Sequence, residues 1–111
     1  MSAVINLNRE PGLREAFEYA HVVNNTVLID RRTKWGNRWR IGRDGTRDEI
    51  IVRYRADLWR RIRAGEVALE ELAELDGMWL ACWCEPQLCH GDVLARAAAW
   101  AAQALAERSD A

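Results

Sequence analysis

The stretch Cys82-Trp83-Cys84-Glu85-Pro86-Gln87-Leu88-Cys89-His90-Gly91-Asp92 carries all three cysteines and one of the two histidines of this chain. Thiols and an imidazole so close in sequence allow three kinds of chemistry. In the first, Cys89 is a reactive thiol. Where a helix begins, unpaired backbone N–H groups and a partial positive charge favour thiolate over thiol. His90 would supply a base or a second cation, and the same N–H groups could hold a substrate anion. Asp92 would suit the helix dipole while adding a negative charge near the thiol. In the second, Cys82, Cys84, Cys89 and His90 bind zinc through three thiolates and one imidazole. A Cys-x-Cys pair on an extended strand spreads its sulfurs wider than the usual two-residue knuckle. In the third, Cys82 is core, since unpaired cysteine is among the most buried residue types, and the others shape a turn. A phosphotyrosine-phosphatase loop is excluded, because the arginine it needs six positions after its cysteine is here Ala95.

The second chemistry-bearing segment is basic. The formal net charge is only −1, but Arg31, Arg32, Lys34, Arg38, Arg40, Arg43 and Arg47 stand together against the single acid Asp44. That segment carries +6 and leaves −7 on the rest, with Glu66, Glu70, Glu71, Glu74 and Asp76 the densest acidic part. A positive segment on an acidic protein suits phosphate or nucleic acid. The bland reading is a solvated loop that pairs with the chain's own acidic helix. Trp35 and Trp39 interleave with these cations, so an indole could stack on a base while cations hold phosphate. Alternatively they fix the loop to the body of the protein, the reading favoured for Trp39. Trp59 and Trp100 read as core on helix faces, and Trp79 and Trp83 as packed beneath a helix.

The elements that position these residues follow from periodicity. Ala3 to Leu7 alternates weakly and suggests a first strand, punctuated by Pro11-Gly12. Leu13 to Ala20 has helical spacing. Thr26 to Asp30 reads as a buried strand, and Arg31 to Gly45 as a long loop of the kind that is usually functional or disordered. Thr46 with Glu49 forms a capping box, after which Ile50, Ile51, Tyr54, Leu58 and Ile62 make a helical stripe to about Arg63. Gly65 suits its left-handed end. Val67 to Leu75 reads as a second helix, stopped by Asp76-Gly77. Met78 to Trp83 reads as a central strand, and His90 to about Glu107 as an alanine-rich helix. Cys82 and Cys84 then share a strand face, and Cys89-His90 fall at a helix N-terminus beyond a strand end, where open α/β sheets place their ligand crevice.

Length and composition bound the reading. The 111 residues, 30% charged, suit one α/β domain spanning 1–111, with a short, mainly parallel sheet flanked by helices. Three cysteines cannot pair completely, which points to a reducing, cytoplasmic setting. No apolar run approaches the roughly 20 residues of a membrane span, and the first residues lack the layout of a signal peptide.

Val27-Leu28-Ile29-Asp30-Arg31-Arg32-Thr33-Lys34-Trp35-Gly36-Asn37, then Gly42-Arg43-Asp44-Gly45-Thr46-Arg47, then Leu80-Ala81-Cys82-Trp83-Cys84 with Cys89-His90-Gly91-Asp92-Val93-Leu94, resemble domain of unknown function 4326, a family of bacteria and their phages. The resemblance covers about Thr26 to Ala98. One departure is Arg38, where the family usually has proline after the Gly-Asn pair. The resemblance implies no reaction. It implies that the basic loop and the Cys-His turn belong together, beyond the strands ending near Asp30 and Cys84. The resulting expectation is a nucleotide- or nucleic-acid-directed domain, with a nucleotide or another phosphorylated small molecule as ligand. Arg31, Arg32, Lys34 and Arg43 would hold phosphate, Trp35 and Asn37 base or sugar, and Cys89, His90 and Asp92 would form the reactive group. The alternative is a non-enzymatic zinc-stabilised module that binds nucleic acid or a partner protein.

Overall fold

A central parallel strand organises the structure. The computed structural model describes residues 2–83 and 89–109. Its elements run β1 (Ala3–Asn6), a 3-10 turn (Leu7–Arg9), α1 (Pro11–Ala16), β2 (Val22–Val23), β3 (Thr26–Leu28), α2 (Arg47–Arg63), α3 (Leu69–Ala73), β4 (Trp79–Cys82) and α4 (His90–Ser109). The sheet order is β1-β4-β3-β2, so β4 lies between two parallel neighbours and β2 adds an antiparallel edge. Val4 and Val27 flank Leu80, and Ile5 and Leu28 flank Ala81.

Strand alternation sends these rows to opposite faces. Val27, Leu80 and Cys82 join the main core with Tyr54, Leu58, Leu72 and Leu94 from the three later helices. Leu28 and Ala81 join a smaller core with Leu7 and Phe17, which α1 and the turns around it cover. This is an α/β fold with a mainly parallel sheet and helices on both faces. Among the described residues, no helix is long and apolar enough to cross a membrane.

Local chemistry sets the boundaries. The Thr46 side chain accepts from the Glu49 N–H and the Glu49 carboxylate accepts from the Thr46 N–H, which starts α2 as the capping box requires. Gly65, at φ +80°, follows its end. Several expectations need correction. Pro11 opens α1 at its first position, where proline's missing N–H is no loss, so the helix begins earlier and ends at Ala16 rather than Ala20. The hairpin strand β2 was not foreseen: Asn24 and Asn25, both at positive φ, make the two-residue turn that pairs it with β3. The second helix is confined to Leu69–Ala73.

The tryptophans also differ. Trp79 and Trp83 are about half-exposed, because the smaller core is built from Leu7, Phe17, Leu28 and Ala81 and neither indole joins it. Trp100 is likewise exposed and meets Trp59 edge to face on the outside of α2 and α4, 4.8 Å between centroids.

Candidate functional site

A cleft of about 180 Å³ opens at the carboxyl ends of β3 and β4. Asp30 and Arg31 border it after β3, Cys82 and Trp83 after β4, and Cys89 and His90 where α4 begins. The long loop contributes Asn37, Trp39 and Ile41, and the first turns of α2 contribute Arg47, Ile50 and Ile51. The cleft therefore gathers two strand ends, two helix N-termini and the irregular loop between them.

Its floor is a chain of polar contacts. His90 is buried, and its Nε2 lies 2.6 Å from the Ile29 carbonyl oxygen. A carbonyl only accepts, so Nε2 carries the proton and donates it. In the neutral ring Nδ1 is then the acceptor, and it faces the Cys89 Sγ at 3.6 Å. Tyr54 meets the imidazole edge to face at 5.0 Å and donates its hydroxyl to the Trp35 carbonyl at 2.7 Å. Burial pushes the Tyr54 hydroxyl pKa far above its ordinary value, with Arg61 opposing and Cys89 adding to the rise, so Tyr54 serves as a neutral donor.

Cys89 precedes α4 and acts as its cap. Its Sγ accepts from the Gly91 N–H at 3.4 Å, and its own N–H donates to the Asp92 carboxylate at 3.2 Å. A thiolate at this position would be favoured by the helix end and by the imidazole, which can take its proton. Cys82 Sγ lies 3.2 Å from Cys89 Sγ, an unbonded contact between buried thiols. Gly91 lets the helix end approach the sheet: a Cβ there would stand 2.9 Å from Val4 Cγ2 and 3.0 Å from Ile29 Cδ1.

The basic loop does not present all of its cations to this cleft. Arg31 borders it and donates to the Trp39 carbonyl, and Arg47 borders it from α2. Arg32 instead grips Asp30, with Nη2 2.7 Å from Oδ2. Burial acts to raise the Asp30 pKa, but hydrogen bonds from Arg32 and Trp83 Nε1 outweigh it and hold the carboxyl below its usual value. Lys34 pairs with Glu71 of α3, and Arg43 pairs with its neighbour Asp44. The pairing of loop with acidic helix thus holds for Lys34.

Trp35 and Trp39 exchange their expected roles. Trp35 is 6% exposed and belongs to the main core, so as it stands it offers no face to a ligand. Trp39 is half-buried and borders the cleft, with the Arg38 guanidinium 4.5 Å from its ring centroid. Asn37 is buried and its Oδ1 accepts from the Trp39 N–H, turning the loop so that the indole reaches the cleft. Asp92 caps α4 and borders a separate groove between α2 and α4. Cys84, a candidate zinc ligand, lies outside the described residues.

Sequence reasoning had Cys82 only as an alternative zinc ligand, favoured Trp39 as a loop anchor and gave Arg47 no place at the site, yet all three border the cleft. Arg47 carried a signal, since it follows the capping Thr46 and so had to stand at a helix N-terminus.

Comparison with known proteins agrees with the early resemblance. An uncharacterised 12.4 kDa protein from the nrdA-td intergenic region of Enterobacteria phage T4 is 44% identical over 70 residues, covering 62% of this chain and 63% of the phage protein. The match thus spans less than two thirds of that relative's length. No solved structure matches. The family profile described as Domain of unknown function (DUF4326) matches residues 14–100, from α1 to the middle of α4 and across every cleft-bordering residue named above. With that span matched, the chain belongs to the DUF4326 family.

Proposed function

We propose that this protein is a nucleotide-directed domain, acting on a nucleotide or a nucleic-acid end, with Cys89 and His90 as its reactive pair. The observation that carries the reading is that one cleft is bordered by a thiol-imidazole pair, two guanidinium groups (Arg31 and Arg47) and an indole (Trp39). Guanidinium groups suit phosphate oxygens, and an indole face suits a base. His90 Nδ1 would accept the Cys89 proton while Nε2–H stays on the Ile29 carbonyl, so the ring keeps one orientation through the transfer. Arg31 keeps its expected role as a phosphate contact, Arg47 takes the place of Arg32, Lys34 and Arg43, and Trp39 that of Trp35.

The test is titration of untagged protein with mononucleotides and a short single-stranded oligonucleotide at rising salt. Affinity should fall with a log–log slope of roughly 0.7 to 0.9 per phosphate contacted. Absence of binding at any salt, or binding that ignores salt, overturns the reading.

A second reading, a zinc-stabilised module, is favoured by one feature: backbone-clamped Nε2 aims Nδ1 at the Cys89 sulfur, the way ligand histidines are commonly held. Among the described residues alone no three-ligand group is assembled, so this reading requires Cys84. Elemental analysis of protein purified without chelator decides it, with about one zinc per chain expected.

A further inference from the structure

Cys82 has no part in the proton transfer just described, yet its sulfur lies 3.2 Å from the Cys89 sulfur. The two residues are seven apart in sequence and belong to different elements, the end of β4 and the cap of α4. Both border the cleft, though each residue is only 1% exposed. The two sulfurs also differ in setting. Cys89 receives the Gly91 N–H and faces His90 Nδ1, the surroundings of an attacking thiolate. Cys82 sits on the strand among apolar side chains of the main core, the surroundings of a thiol that waits.

We propose that Cys82 and Cys89 are a dithiol–disulfide pair that reduces a hydroperoxide, Cys89 attacking and Cys82 resolving. The inference rests on Cys89 as nucleophile and is independent of nucleotide binding. The Cys89 proton passes to His90 Nδ1. The thiolate attacks one peroxide oxygen, an S–O bond forms, the O–O bond breaks, and the leaving hydroxide takes the proton from His90 to become water. Cys89 is then a sulfenic acid. The Cys82 sulfur attacks the Cys89 sulfur, the S–S bond forms, the S–O bond breaks, and the hydroxide leaves as water with the Cys82 proton. Two thiols and one hydrogen peroxide thus give one disulfide and two waters. A separate thiol reductant returns the pair to its starting state.

The test uses the full chain carrying Cys84→Ser, reduced, freed of reductant, treated natively with one equivalent of hydrogen peroxide, then alkylated in denaturant. The intact mass should fall by two hydrogens with no alkyl group added. A digest should yield one cross-linked species through Cys82 and Cys89. Oxidation should be roughly tenfold or more faster than in the urea-unfolded chain, where the special setting is lost. In Cys82→Ala, Cys84→Ser protein, Cys89 should remain a sulfenic acid that dimedone traps. If that variant does not fold, the Cys84→Ser mass decides alone. Two alkylatable thiols after peroxide, Cys89 carried to the sulfinic acid with Cys82 still reduced, or, in the chain with Cys84 intact, one zinc holding both thiols would each overturn the proposal. Nucleotide titration of the same reduced sample separates the readings: binding without disulfide removes only the redox pair, and disulfide without binding removes only the nucleotide.

Discussion

His90 Nε2 donates to the Ile29 carbonyl across 61 residues of sequence, tying the first residue of α4 to the end of β3. That carbonyl is the first backbone acceptor beyond the strand, and the imidazole that occupies it also faces Cys89. One side chain therefore closes the sheet's end and sets the thiol's partner.

Replacing His90 with alanine should cost stability and reactivity together. An unsatisfied buried acceptor costs about 1–3 kcal/mol, and the emptied space adds to it. Urea unfolding checks the first effect. The second shows as iodoacetamide labelling of Cys89, slower by roughly tenfold at neutral pH as the proton acceptor is lost.

Thr46→Ala should destabilise by about 1 kcal/mol, because the Glu49 N–H loses its hydroxyl acceptor while only the backbone half of the capping box survives. Denaturant midpoint at constant slope is the measurement. Since Arg47 follows Thr46, looser nucleotide binding should accompany the loss.

Gly36→Ala should be worse than Gly91→Ala. A Cβ at Gly36 would stand 2.4 Å from the Asp30 carbonyl oxygen and 2.6 Å from the Arg31 Cα, atoms of the backbone that cannot step aside cheaply. At Gly91 the neighbours are side-chain tips of Val4 and Ile29, which can give at a cost of about 1–3 kcal/mol. Paired melting curves rank the two.

Acid should weaken the fold through Asp30. Its carboxyl pKa is lowered from 3.8, so its stabilising contribution is fully present above that unfolded value and is lost as pH falls through the lower, folded one. Stability measured from pH 5 downward should therefore decline, and Asp30→Asn should flatten the slope in the region below 3.8.

Two arginines should separate from two other cations. Arg31→Ala and Arg47→Ala should each weaken nucleotide binding several-fold and reduce the salt slope by roughly one phosphate's share. Lys34→Ala and Arg43→Ala, whose partners are Glu71 and Asp44, should leave affinity nearly unchanged. Isothermal titration at two salt concentrations distinguishes the sets.

What could be read from the sequence was whatever local chemistry decides. The Thr46–Glu49 box, Gly65 after α2, the apolar Leu80–Cys82 run and the alanine-rich α4 all carry their cause within a few residues, and each stands where expected. The pairing of Cys82 with Cys89 depends on how a strand and a helix are brought together, which no spacing reveals. Trp35, between Lys34 and Gly36, and Trp39, between Arg38 and Arg40, both adjoin cations in sequence. Their fates diverge because Tyr54 holds the Trp35 carbonyl and Asn37 turns the chain at Trp39. The hairpin at Asn24-Asn25 was missed because β2 has only two residues, too few for an alternating pattern.

The sheet order has a temporal consequence. Both parallel pairings belong to β4, so β1 and β3 have no sheet partner in one another. During synthesis, β1 leaves the ribosome more than seventy residues before the strand that will lie beside it. Until Trp79–Cys82 emerges, neither β1 nor β3 has the strand with which it pairs in parallel. Assembly is then a late, long-range event, slow by the entropy of closing that loop.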